Sequence, residues 1–338
     1  REALQRDGGH DGAVMKEFFP SQLEFASPVC TSAAEVLASL SGFRAELSSW
    51  ASGRDLLPAG VGLPYRVDPD AHVTDTERYR DIASHFGLIV SDHQINGLHV
   101  HVGVPDREAA ARASNRLSPW LPALLALSAN SPYWQGADTG FDSWRAIHSR
   151  RWTTHGIPLV FRGEADYDLR TAALKGVGGT TDAGTLNWVV RPSERYPTVE
   201  VRVFDAQLDA ETSAALAALV RGLGVSPPTK DAQRTPAEPE LLDSALWHAA
   251  RNGLGSDLLD PSGRRLRPAP EVVHALRNEA AAGLTEHGEV ELVGAVVERI
   301  LSEGNGATRQ RRALARGGTR GLADLIRSGC ARGTARAG

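Results

Sequence analysis

Three short stretches alternate apolar and polar residues with period two: Gly97-Leu-His-Val-His-Val-Gly103, Thr198-Val-Glu-Val-Arg-Val-Phe204 and Gln22-Leu-Glu-Phe25. Successive side chains of a β-strand point to opposite faces. The pattern therefore puts Leu98, Val100 and Val102 on one face and His99 and His101 on the other. It likewise sets Val199, Val201 and Val203 against Glu200 and Arg202, and Leu23 and Phe25 against Gln22 and Glu24. One sheet with these polar faces aligned would present two imidazoles, two carboxylates and a guanidinium, with Glu200 open to solvent. Carboxylate and neutral imidazole are ligands for a divalent cation, and Arg202 can clasp a carboxylate or phosphate through two N–H groups. An antiparallel sheet with one wetted face explains the same alternation, so patterning alone leaves both readings open.

Helical signals surround these strands. Thr31 or Ser32 can cap a helix running to Trp50, with Glu35 three residues past Ser32 and Val36, Leu37, Leu40 and Phe43 at helical spacing. Further helices are expected over 107–117, 121–129 and 209–223, the last opened by Asp209. The Pro- and Thr-rich stretch 225–239 reads as a surface loop or linker. Beyond it 245–251, 270–281, 289–301 and 309–314 read as helices, and the Gly/Arg-rich end after Arg316 as a fraying tail. Strands mixed with helices, then a helical final third, define an α+β fold. The whole chain, 1–338, is expected to form a single catalytic domain.

Composition narrows the partners. A formal net charge of -4 leaves no basic footprint for nucleic acid, so a small-molecule partner is expected. Two cysteines, Cys30 and Cys330, are too few for a disulfide framework and lack metal spacing. That fits a reducing cytoplasm. No apolar run has the length of a membrane span, and Arg1 to His10 lacks the apolar stretch of a signal peptide.

Other polar residues carry weaker signals. Arg150, Arg151 and Arg191 could cradle phosphates or stand solvated at the surface. Asn187 and Trp188 could line a pocket. His148, His155, His248, His274 and His287 show no ligand spacing and suit surface or satisfied core positions. Gly176-Val-Gly-Gly179 lacks the Lys-Ser/Thr of a phosphate-binding loop and reads as a flexible loop that could act as a lid.

A longer set of motifs carries a resemblance. The His-x-His strand, Asn115 to Trp120, Leu127-Ser-Ala-Asn-Ser-Pro132, Ser143-Trp-Arg145, Arg151-Trp152, Arg191-Pro-Ser193 and Tyr196-Pro-Thr-Val-Glu-Val-Arg202 resemble, in order and spacing, the YbdK-type carboxylate–amine ligases, the second glutamate–cysteine ligase family. The resemblance runs from about Phe18 to about Arg312. It implies a glutamine synthetase and guanido kinase type of fold, in which an antiparallel sheet forms a concave wall carrying ATP and Mg²⁺, with helices on its other face. It also implies metal ligands at Glu24, His99 and Glu200, catalytic roles for Glu200 and Arg202, and substrate or nucleotide binding by His101, Arg151, Asn187, Arg191 and Arg202. The implied reaction joins a glutamate-like carboxylate to an amine such as cysteine through an acyl phosphate. Substrate selectivity is expected in 160–186.

One part of the family pattern is missing. Members usually begin with a strand of the Gly-x-Glu-Glu-Glu-Phe type, and nothing before Glu24 matches it; Glu2 and Glu17 stand in a different context. Residues preceding Arg1 are the expected explanation, the alternatives being a shortened, catalytically impaired homologue serving as a binding subunit or a partner that supplies the strand. A homodimer is a further expectation of the resemblance. His-x-His on a strand also occurs in metal-dependent hydrolases with barrel folds, a reading that the helical final third disfavours.

Overall fold

The computed structural model describes residues 11–68, 70–225, 238–262 and 264–331. Glu2 and residues 226–237 of the expected linker lie outside them. In chain order the elements are β1 (Ala13–Lys16), β2 (Leu23–Ala26), α1 (Ala33–Ala51), α2 (Glu77–Phe86), β3 (Gly97–Gly103), α3 (Arg107–Leu117), α4 (Leu121–Ser128), β4 (Tyr133–Trp134), β5 (Ala137–Asp138), α5 (Trp144–Ser149), α6 (Glu164–Gly176), β6 (Val190–Pro192) and β7 (Thr198–Asp205). There follow α7 (Ala210–Val225), α8 (Pro239–Asn252), β8 (Leu258–Asp260), β9 (Arg265–Arg267), α9 (Ala269–Glu279), α10 (Ala281–Glu286), α11 (Val290–Glu303) and α12 (Gly306–Ala331).

The central sheet is antiparallel in the order β3-β7-β6. Its apolar face holds Val100, Val102, Val190, Val199, Val201 and Val203, all buried. These pack with α3, α4 and α7 into the main core. The alternation expected for β3 and β7 is therefore present, and it leaves the opposite face polar. Helix α4 is buried at every position, which explains its sequence: a helix apolar all round belongs inside a core, and Pro122 is tolerated in its first turn, where its missing N–H has no partner to lose. Helices α7 to α11 extend the same core.

Caps fix several boundaries. Ser32 accepts from the Glu35 N–H at 3.2 Å while Glu35 accepts from the Thr31 N–H at 2.6 Å, so both candidate residues share the N-terminus of α1. Asp209 accepts from the N–H of Thr212 at 2.9 Å at the start of α7.

Four expectations are corrected. The strand bearing Glu24 does not join the central sheet; it forms a separate hairpin with β1, pairing Met15 with Glu24 and Val14 with Phe25. Within it the expected apolar face is only partly kept. Phe25 stacks on Phe43 with ring centroids 4.2 Å apart, a contact of about 1 kcal/mol, whereas Leu23 is 40 % exposed and Gln22 is buried. Gln22 is paid off by hydrogen bonds, donating to the Ile95 carbonyl at 2.7 Å and accepting from the Phe19 N–H at 3.0 Å. The Gly176–Gly179 stretch is not a free loop but the C-terminal cap of α6. Gly178 has φ +76°, its N–H donates to the Lys175 carbonyl at 3.0 Å, and that of Gly179 to Leu174 at 2.9 Å, the paired bonds of a Schellman motif. Residues 317–331 of the tail continue α12 past a kink at Gly317 and Gly318, and 332–338 lie outside the described residues. Leu322 and Ile326, four apart, bury against Val61 and Leu208.

Because Val201 sits on the fully buried face between β3 and β6, Val201→Asp strands a charge in the core. It is expected to cost more than about 4 kcal/mol and to abolish the cooperative thermal transition followed by circular dichroism.

Candidate active site

Strand register assembles the polar face. His101 lies directly across from Glu200, and Glu200 across from Arg191. One row therefore runs imidazole, carboxylate, guanidinium over three strands. The next row is made by an irregularity: between the pairs Val100–Val201 and Leu98–Phe204, His99 alone faces both Arg202 and Val203. Such a bulge places an extra residue on one strand and re-aims its side chain. Arg202, in this bulge, meets Glu200 and His99.

Glu200 is the hub. Its Oε2 accepts from Arg191 Nε at 2.9 Å, its Oε1 accepts from Arg202 Nη1, and His99 Nδ1 and His101 Nε2 stand 3.8 and 3.7 Å from Oε1. The expectation that Glu200 faces solvent is not met; it is only 4 % exposed. Burial pushes its carboxyl upward, but Arg202 and Arg191 outweigh this and hold it well below the ordinary carboxylate range. His99 is driven well below its usual value by burial and by Arg202, with Glu200 opposing. Arg202 Nη1 lies 3.4 Å from His99 Nδ1, so the imidazole is neutral. Protein crowds His99, yet its side chain remains 34 % exposed. His101 shares a 2.9 Å hydrogen bond between Nδ1 and Thr198 Oγ1.

Beside this cationic row stands an anionic pair. Glu24 is raised to about 7 by burial, then by repulsion from and hydrogen bonding with Glu17; Arg202 lowers it and Glu200 raises it further. Glu17 thus lies beside Glu24. The hairpin explains it: Met15 pairs with Glu24, and Glu17, two residues on, is the diagonal neighbour on the same face. The run Gly12 to Glu17, ending in a Phe-Phe-Pro-Ser turn, was the signal that could have revealed it.

The three residues proposed as metal ligands are not assembled as a set. Among the described residues no group of three or more His, Cys, Asp or Glu side chains is placed to hold a metal ion, and Glu200 is already neutralised by two guanidiniums. The Glu17–Glu24 pair does fit a cation: two carboxyl groups held side by side, with Glu24 raised by burial and by Glu17, offer oxygen ligands to a metal. Mg²⁺ is commonly held by one or two carboxylates, with water and phosphate oxygens completing its shell.

The remaining candidates lie outside the strands of the central sheet. Asn187 is spent locally, its Nδ2 donating to the Thr185 carbonyl at 3.1 Å. Arg150 pairs with Asp243. Arg151 pairs with Asp92 at 2.7 Å and contacts His148, which is buried and packed on Trp134 and His93. His155, unremarkable in sequence, is held at about 3 by burial and by Arg145, Arg150 and Arg202.

The chain matches the Glutamate-cysteine ligase family 2 over residues 2–332. It is 40 % identical over 320 residues to a Mycolicibacterium vanbaalenii protein provisionally named glutamate–cysteine ligase 2-2, covering 94 % of this chain and 87 % of the relative. A Nocardia farcinica protein provisionally named glutamate–cysteine ligase 2-1 is 38 % identical over 317 residues, covering 93 % and 83 %. The solved glutamate–cysteine ligase of Francisella tularensis in complex with AMP shares the fold, with a TM-score of 0.62 at 11 % identity over 96 % of this chain and 82 % of that one. These findings put the chain among the ligases that join a carboxylate to an amine. Within that class, it belongs to the glutamate–cysteine ligase family 2. The hydrolase reading falls, since His-x-His lies in an antiparallel sheet rather than a parallel barrel.

The two carboxylates give opposite pH signatures. Folding lowers Glu200, so its contribution is whole above its ordinary value of 4.5 and is lost as pH falls below it. Folding raises Glu24 to about 7, so its contribution is present below 4.5 and is lost as pH climbs through 7. Glu24→Gln removes that second titration while keeping a hydrogen-bonding side chain. The decline in melting temperature between pH 5 and pH 8 is expected to shrink in this variant; an unchanged decline would exclude a raised Glu24 carboxyl.

Proposed function

We propose that this chain joins a glutamate-like carboxylate to the amine of cysteine or a similar amino compound, with ATP and Mg²⁺, in the cytoplasm. The observation that carries this reading is the adjacency of the guanidinium-rich row at Arg191, Glu200 and Arg202 to the carboxylate pair Glu17–Glu24.

A carboxylate has no usable leaving group, so its oxygen must first attack the γ-phosphorus of ATP, breaking the bond to ADP and giving an acyl phosphate. The amine nitrogen then attacks the acyl carbon, phosphate departs, and the nitrogen loses a proton. Neither step needs a protein nucleophile. Both need dispersed phosphate charge and an aligned carboxylate. Arg191 and Arg202 carry two positive charges against the single negative charge of Glu200, and the surplus is available to the transferring phosphoryl group. His101 lies at the far end of the same row as a neutral hydrogen-bonding group. Glu24 and Glu17 would hold the cation, which when bound neutralises phosphate oxygens and shields them from the attacking carboxylate.

The direct test is ADP release in the presence of Mg²⁺, expected to rise only when carboxylate and amine are both supplied. With hydroxylamine replacing the amine, the acyl phosphate should be trapped as a hydroxamate. Absence of product with every amino acid pair would refute the reading. Arg202→Lys is expected to lower kcat roughly 100-fold, because one ammonium cannot serve both Glu200 and a phosphate. Glu200→Gln should lose activity and also about 3 kcal/mol of stability, since two buried guanidiniums lose their counter-charge.

A further inference from the structure

Arg145 stands outside the row of charges just described, yet it is buried and attached to β7 where the register changes. Its Nη2 donates to the carbonyl of Arg202 at 3.1 Å and its Nη1 to that of Val203 at 3.4 Å. These are the two residues of the bulge. A bulge disrupts the regular ladder, and a buried carbonyl without a partner is costly; one planar guanidinium serves both. Behind it, Asp205 supplies the counter-charge, with Oδ1 3.7 Å from Arg145 Nη1. Asp205 is itself fixed by Ser131 Oγ at 2.7 Å, Ser143 Oγ at 2.9 Å and the Asn130 N–H at 2.8 Å.

Space for the guanidinium comes from Gly97, at the start of β3. A Cβ there would stand 3.0 Å from Arg145 Cζ and closer still to Nη2. The glycine is required by this close approach.

We propose that Arg145 is a positioning residue for ligation: by gripping both bulge carbonyls it fixes the direction in which the Arg202 side chain leaves β7, toward Glu200 and His99. Arg145 acts on the reaction through Arg202. The kinetic part of this inference rests on the ligase reading; the structural part does not.

Two substitutions disturb the grip by different routes. Arg145→Lys keeps the charge opposite Asp205 but loses the planar fork, and Gly97→Ala pushes the guanidinium away with every charged group intact. Each is expected to lower kcat roughly 10- to 100-fold, as small misplacements of catalytic groups do, with little change in KM for ATP. In an Arg202→Lys background neither should lower kcat further, because residues acting as a unit are non-additive. Losses that multiply in the double variants, or unchanged kcat in both singles, overturn the proposal. Should Arg145→Lys not fold, Gly97→Ala carries the test. Crystal structures supply a reading independent of activity: Arg202 is expected off Glu200 and His99 in the variant, and an undisturbed Arg202 overturns the proposal. If the wild-type protein forms no amide with any pair, the ligase reading fails, and the crystallographic comparison still decides whether Arg145 places Arg202.

Discussion

A single carboxylate held between two guanidiniums organises this molecule's polar face. Taking ions out of water costs several kcal/mol each even after relaxation, so Glu200 is tolerable in its buried position only because Arg191 and Arg202 converge on it. The arrangement leaves positive charge in excess. A protein interior does not ordinarily retain such an excess, and here it lies beside solvent, where His99 and His101 keep about a third of their surface exposed. An anionic ligand is what this imbalance is suited to receive. The site is thus under-neutralised on one side and over-supplied with carboxylate on the other, and Arg202, which attracts both Glu200 and Glu24, stands between them.

Register makes the arrangement possible. Arg191, Glu200 and His101 come from three separate stretches and are collinear only because β7 is central. The valines on the reverse face hold that register, since a slip by one residue would drive Glu200 into the core. Apolar packing and site geometry are accordingly one constraint seen from two sides of the same strands.

Much of this was legible in the chain. The alternation in β3 and β7 gave the two faces, and the capping residues Ser32 and Asp209 marked the helix starts now observed. What was not legible depends on pairing. Nothing local says that Leu23–Ala26 pairs with Ala13–Lys16 rather than with the central sheet, so Glu17 was discounted and Leu23 was assigned to a core face. Nor does period two reveal a bulge, so the placing of His99 opposite both Arg202 and Val203 is not legible in it. Glu200 looked solvent-facing because alternation reports which face a residue takes, not what covers it. The tail beyond Arg316 was misjudged on composition, although Leu322 and Ile326 are spaced to bury one stripe of a helix. The string of family motifs, by contrast, was specific enough to give the class of reaction directly.

The separateness of the hairpin has one more implication. The two groups of charges are anchored by different parts of the fold: the guanidinium row by the central sheet, the carboxylate pair by a two-stranded arm whose stacking partner is Phe43 on α1 and whose turn is tied down by Gln22 to Ile95 and Asn96. Such a division is modular. Under the proposed function, sequence drift in the arm or in α1 would retune cation affinity while the strands proposed to face phosphate stay as they are, so descendants of this scaffold would have a route to altered metal preference that leaves the sheet's own chemistry untouched.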